Sequence, residues 1–221
     1  VSLGEFTIWA AAANRLSVGS ECRRFACQAL LRNARFFPGD SPHRRLAGVT
    51  KGILLVILIA IGSNLPHPQL GQPRDVCEAA LKLLETYGVR VLRRSPWYGS
   101  APVPASDQPW FVNGVAEVEA TAGRSPLALL ETLHAVEDEL GRTRTLRNEA
   151  RIVDLDLIDF DGLVSKLDAR PQLPHPRVQE RAFVLFPLRD LEPQWRHPAT
   201  GEELETLIAR LPSEQKIQLL E

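Results

Sequence analysis

The 221-residue chain has no methionine and only three cysteines, Cys22, Cys27 and Cys77. An odd, scattered set of this kind supplies neither a disulfide framework nor paired zinc-ligand spacing, so a reducing compartment, the cytoplasm, is the expectation. Long apolar runs are missing too. The longest, residues 53–61, is about half of the roughly 20 residues that a membrane-crossing helix needs, and it reads as a buried strand. No membrane partner is expected. Net charge is nearly absent: 26 Lys and Arg stand against 27 Asp and Glu, which leaves no global field to draw in nucleic acid or anionic lipid. Any polyanion must then be held by local clustering. There is no Gly-Lys-Ser or Gly-Lys-Thr phosphate loop, no Gly-x-Ser-x-Gly elbow and no cysteine with a convincing histidine partner. Nucleotide would be held by side chains, and covalent catalysis has no candidate.

What is present is an ordinary globular composition, 44% hydrophobic and 24% charged, enough for one core and one domain. Residues 1–52 differ from the remainder. They are basic and poor in acidic residues, carry no sustained period, and lack the order of n-region, apolar h-region and cleavage site of a secretory signal. The expectation is a poorly ordered extension over 1–52, with targeting peptide and misplaced start as its alternatives, and a folded domain over 53–221.

From Gly52 onward the punctuation is regular. A strand over 53–61 ends at Gly62. Pro73 then opens a helix whose Val76, Ala80, Leu83, Leu84 and Tyr87 share a face before Gly88 stops it. Two strands, 89–92 and 109–120, flank a long loop over 95–108, and long loops in compact domains are usually functional. Ser125 as N-cap and Pro126 in the first turn start a second helix, with Leu130, Leu133, Val136, Glu137 and Leu140 at helical spacing and Gly141 at its end. Residues 152–160 alternate as a strand, and 202–211 form a short helical tail. Strand, helix, strand, strand, helix, strand is the order of a ferredoxin-like α+β sandwich, with helices on one face of a mainly antiparallel sheet.

Chemistry concentrates around Asp154-Leu155-Asp156. Alternate strand residues point to one face, which puts the two carboxylates about 6–7 Å apart. Magnesium is commonly held by one or two carboxylates plus substrate phosphates; a half-exposed strand meeting water is the plainer alternative. Arg142, Arg144, Arg147 and Arg151 lie just before the pair. Phosphoryl transfer needs that combination, since metals and guanidinium groups neutralise phosphate oxygens during the reaction. His175, between two prolines, and Arg181 could reach a triphosphate. His134 and Glu137 are one helical turn apart, a spacing more often a surface hydrogen-bonding pair than a zinc site.

Taken together, five separated segments resemble the 6-hydroxymethyl-7,8-dihydropterin pyrophosphokinase family. They are Gly62-Ser63-Asn64, Asp107-Gln108-Pro109-Trp110-Phe111-Val112-Asn113, Glu137 with Gly141-Arg142, Arg151 before Asp154-Leu155-Asp156, and Leu173-Pro174-His175-Pro176 with Glu180-Arg181-Ala182-Phe183-Val184-Leu185. They stand in the family's order over residues 53 to about 212. The resemblance implies pyrophosphate transfer from ATP to the reduced pterin, giving AMP, in folate synthesis. Asp154 and Asp156 would bind two magnesium ions, and Arg142 and Arg151 match catalytic arginines. His134, Glu137, Arg144, Arg151, Leu157, Arg170, His175 and Arg181 match ATP contacts. Phe111 and Phe183 match the rings that sandwich the pterin. Asn113 matches the amide that reads its edge, and Ser100, Ala101 and Val103 match a loop of backbone contacts. Asn148-Glu149-Ala150-Arg151 stands where many relatives have Trp-Gly-Pro-Arg, so an aromatic lid contact is missing. Pro176 and the Ser100-Ala101 pair are further departures.

Two other readings compete. Ferredoxin-like sandwiches also serve as RNA-binding or regulatory modules, but carboxylates on a sheet strand would repel RNA. A nucleotidyltransferase would attack the α-phosphorus and release pyrophosphate. The expected partners are therefore ATP and the pterin, without nucleic acid, acting on a monomer.

Overall fold

In a computed structural model, residues 56–120, 125–142 and 149–220 are described. The proposed extension over 1–52 lies outside the described residues. Lys51–Glu221 is one unit, built in the order β1 (Ile57–Ser63), α1 (Pro73–Thr86), β2 (Val89–Arg94), β3 (Tyr98–Ser100), β4 (Phe111–Ala120), α2 (Pro126–Glu139), β5 (Asp154–Phe160), a single 3₁₀ turn (Val178–Glu180), α3 (Ala182–Leu191), α4 (Leu204–Ala209) and β6 (Ile217–Leu219).

β1 is paired along both edges, antiparallel to β4 on one side and to β5 on the other. β2 pairs with the later part of β4, and β3 and β6 extend the sheet beside its earlier part. The strands β5, β1, β4 and β2 with α1 and α2 give the expected sandwich. The sheet is, however, covered on both faces rather than one. Ile57, Ile59 and Ile61 pack with α1 and α2 residues such as Val76, Leu84, Leu133 and Val136. Leu58 and Ala60 pack with Val184, Leu185 and Leu188 of α3 and Leu204 and Leu207 of α4. That is why β1 reads as a continuous apolar run: both alternating faces are buried. Each fully buried Ile or Leu contributes about 1.5–3 kcal/mol as an upper estimate, so the strand that carries the site is among the most firmly held.

The helix starts follow their capping chemistry. Ser125 Oγ accepts the Ala128 N–H at 3.2 Å, and Pro126 occupies the first turn of α2. At the other end, Gly141 adopts φ 81°, a left-handed turn that returns Arg142 so that its N–H donates to Glu137 O at 3.0 Å.

Four elements depart from the sequence reading. Residues 182–191, read only as a motif, form α3. The three-residue strands β3 and β6 stand within the expected loop and beyond the expected tail. β1 continues through Gly62 to Ser63 because both residues remain paired to β4.

Candidate active site

The cleft lies on the α3 face of the sheet. Register sets its floor: Gly62 stands opposite Asn113 on β4 and Asp154 on β5, while Ala60 stands opposite Val115 and Asp156. Residues directly across a ladder share a face, so both carboxylates, Gly62 and Asn113 point the same way. Along β1 this face runs Leu58, Ala60, Gly62, a series that shrinks toward the cleft. A Cβ at Gly62 would meet Asn113 Oδ1 at 3.0 Å, so the bare backbone there keeps the Asn113 amide in place.

Around this floor stand Ser100, Ala101 and Val103 from the segment after β3, Phe111 and Asn113 from β4, Arg151, Arg177, Arg181 and Phe183. All the residues proposed for the pterin are thereby brought into one cleft with Asp154 and Asp156. Asn113 is buried and donates from Nδ2 to Ser100 Oγ at 2.9 Å, a bond that orients the amide.

The carboxylates are already met by guanidinium groups. Asp154 Oδ1 lies 2.6 Å from Arg142 Nη1, and Asp154 Oδ2 lies 2.8 Å from Arg151 Nη1. Asp156 Oδ2 lies 3.1 Å from Arg181 Nη1. Both Asp side chains keep an open flank, 28% and 33% exposed. The arrangement can grip hard cations on the acidic side and phosphate oxygens on the basic side, the two requirements of phosphoryl transfer.

A second depression adjoins the first and shares Asp156 with it. Its walls include Leu130, Leu157, Arg170, His175 and Pro176. Three of the residues proposed for ATP, Leu157, Arg170 and His175, therefore meet around the same carboxylate. His175 Nδ1 accepts the Arg177 N–H at 3.1 Å, which leaves the proton of the neutral ring on Nε2. Burial is the main cause that lowers the His175 pKa, and Arg181 and Arg177 lower it further against the opposing Asp156 and Asp154.

Glu137 lines neither depression. Read as an ATP contact, it is 1% exposed. Its Oε1 accepts the Leu155 backbone N–H at 2.6 Å and pairs with Arg142. Apolar neighbours on α2 carry it into the interior, where it sets β5 and Arg142. His134, one turn earlier and half-buried, lines neither depression. Arg144 and Arg147 lie outside the described residues, as does Asn148. Sequence reasoning gave no role to Asn64, Gln108 or Arg177. Gln108 and Arg177 line the cleft, and Asn64, buried at 1% exposure, bonds Gln108, Pro109 and Arg151. Asn64 and Gln108 stood within quoted motifs, which was the available signal.

Comparison with known proteins identifies the family. The family described as 7,8-dihydro-6-hydroxymethylpterin-pyrophosphokinase (HPPK) matches residues 58–193. A Pseudomonas aeruginosa relative named 2-amino-4-hydroxy-6-hydroxymethyldihydropteridine pyrophosphokinase is 42% identical over 159 residues, 72% of this chain and 93% of that protein. The folic acid synthesis protein fol1 of Schizosaccharomyces pombe is 33% identical over 84% of this chain, which spans only 24% of that longer protein. Among solved structures, wild-type Plasmodium falciparum HPPK-DHPS with STZ-DHP superposes with a TM-score of 0.54 at 14% identity, over 71% of this chain and 43% of that one, a likeness of fold. The chain belongs to the 7,8-dihydro-6-hydroxymethylpterin-pyrophosphokinase family.

Proposed function

We propose that this chain transfers the terminal diphosphate of ATP to the hydroxymethyl group of 6-hydroxymethyl-7,8-dihydropterin, releasing AMP, in folate biosynthesis, and that the transfer takes place over Asp154 and Asp156. Family membership supports the reaction. The observation that carries the site is the sharing of Asp156 between a cleft lined by Phe111, Asn113 and Phe183 and a depression lined by Leu157, Arg170 and His175. The two substrates meet where the carboxylates and arginines are.

The pterin stacks with Phe111 and Phe183, and the oriented amide of Asn113 reads its polar edge. Ser100 holds that amide, and Ala101 and Val103 form the adjoining wall. On the ATP side, Leu157 offers an apolar surface to the base. Arg170, His175 and Arg181 contact the phosphates. His175, neutral with its proton on Nε2, acts there as a hydrogen-bond donor. Arg142 and Arg151 are the catalytic cations, releasing Asp154 as they turn toward the moving phosphoryl oxygens. Arg142 is kept close by Glu137.

The donor set suits magnesium: Asp154 and Asp156 offer hard carboxylate oxygens with open flanks, which would hold the ion beside substrate phosphates. Two ions are proposed, held by Asp154 and Asp156, and when bound they supply charge neutralisation on the phosphates. The working unit is residues 53–221, acting as a cytoplasmic monomer on small molecules and without nucleic acid; no described helix is long and apolar enough to cross a membrane.

Incubation with ATP, magnesium and 6-hydroxymethyl-7,8-dihydropterin tests the reading. AMP and the pterin diphosphate are expected. Release of free pyrophosphate would identify attack at the α-phosphorus and replace the proposal with a nucleotidyltransferase.

A further inference from the structure

Arg181 occupies the residue before α3, where a side-chain oxygen ordinarily accepts a free N–H of the first turn. Arginine has donors only, and Arg181 Nη1 is directed to Asp156 Oδ2 at 3.1 Å. A residue committed to the site therefore stands where a cap is needed. The acceptor comes from the far end of the chain: the Ala182 N–H donates to Gln215 Oε1 at 2.9 Å. The same amide donates from Nε2 to Glu180 O at 2.8 Å. One side chain thus grips the backbone on both sides of Arg181, immediately before Phe183.

The next residue ties the opposite part of the cleft. Lys216 O accepts the Ala101 N–H at 3.1 Å, and Ile217 pairs with Ser100 in the β3–β6 ladder. Gln215 and Lys216 together join the segment carrying Arg181 and Phe183 to the segment carrying Ser100, Ala101 and Val103. Gln215 does not itself line the cleft, and it lies beyond the 58–193 family match.

We propose that Gln215 is a positioning residue for the pterin end of the cleft, its amide setting Phe183 and Arg181 relative to the 100–104 segment. The proposal rests on the assignment of this cleft to the pterin. The role requires an acceptor and a donor at one side-chain tip, because Ala182 offers an N–H and Glu180 offers a carbonyl. Glutamate lacks the donor, lysine lacks the acceptor, and asparagine is one methylene too short.

The experiment compares the full chain with Gln215→Ala and Gln215→Met. The pterin is titrated by its fluorescence in the presence of magnesium and a non-hydrolysable ATP analogue, KM and kcat are taken from AMP formation, and Tm from calorimetry. Both variants are expected to raise the pterin Kd and KM by about fivefold, the scale of lost hydrogen bonds, with the loss falling on KM more than on kcat. A role confined to stability would lower Tm and leave the Kd unmoved. Gln215→Met keeps the side chain's length and deletes only its hydrogen bonds, so it decides the matter if Gln215→Ala unfolds at the assay temperature. Pterin binding within about twofold of the parent in the folded variants overturns the proposal. A parent chain that binds the pterin yet forms no AMP refutes the assigned reaction and leaves the Kd comparison decisive for Gln215; a parent that binds no pterin refutes both.

Discussion

Asn64 and Arg151 hold each other by a reciprocal pair of hydrogen bonds, Arg151 N–H to Asn64 Oδ1 at 2.8 Å and Asn64 N–H to Arg151 O at 3.2 Å. The Asn64 Nδ2 group also reaches Gln108 Oε1 at 3.2 Å and Pro109 O at 3.3 Å. One buried amide therefore couples the chain entering β4 to the chain carrying a proposed catalytic arginine. Asn64→Ala is expected to cost about 1–3 kcal/mol in denaturant unfolding, because it removes a buried amide that accepts from one chain segment and donates to another. A midpoint equal to the parent's would show that the coupling has no energetic weight.

Asp154→Ala and Asp156→Ala are each expected to lower kcat by about 100-fold or more while the far-ultraviolet circular dichroism stays that of the parent. Both side chains stand partly exposed on the sheet and not within its core, so the loss falls on turnover. AMP formation at saturating magnesium is the measurement, and parental rates would remove the metal role.

Breaking the Glu137–Arg142 pair should be costly for stability. Glu137→Ala leaves Arg142, 11% exposed, without its interior partner and deprives the Leu155 N–H of its acceptor. A destabilisation of about 3–5 kcal/mol is expected from urea titration. Activity should fall as well, since Arg142 and β5 both lose the group that sets them. A folded, fully active Glu137→Ala protein would contradict the interior role.

The ring of His197 is buried beside Trp195, at 6.0 Å between centroids. Burial is the main cause that lowers its pKa, with Glu202 and Asp159 opposing. The unfolded chain thus takes up this proton at higher pH than the folded one. The contribution of His197 to stability is intact above the ordinary value of 6.5 and is lost as pH falls through the folded value. Unfolding midpoints should drop as pH falls from 6.5 toward the folded value, and the slope in His197→Asn should be shallower. An identical slope would assign the acid sensitivity elsewhere.

Cys77 is buried, and its thiol pKa is pushed up to about 12, chiefly by burial and also by Glu78. It should resist alkylation by iodoacetamide in the folded protein and react after denaturation, as followed by peptide mass spectrometry. Rapid modification in the native state would show that α1 opens away from the sheet.

The parts of the fold that were legible in the sequence are those with a long period or a strong stop. α1 and α2 carry Pro starts, glycine ends and a clear apolar face, and β1 is an apolar run bounded by Gly62. α3 was not legible as a helix. Its Ala-Phe-Val-Leu-Phe-Pro-Leu core is apolar through the turn that holds Pro187, so no polar face marks the 3.6-residue period. β3 and β6 are too short for alternation to register and exist through their pairing. In the site, Asp154 and Asp156 were visible because a strand forces alternate side chains together. The inward turn of Glu137 was not, since its partner is a backbone N–H brought close only by the fold, and Gln215 was hidden for the same reason.

The descending sizes of Leu58, Ala60 and Gly62 have one last implication. Their neighbours Ile57, Ile59 and Ile61 serve the opposite core, so a carbon added at Gly62 changes the depth of the basin without touching the α1 and α2 side of the sheet. A chain of this kind could evolve to accept a thinner or bulkier ring by editing a single row of atoms, and Gly62 is where the first added carbon would be felt.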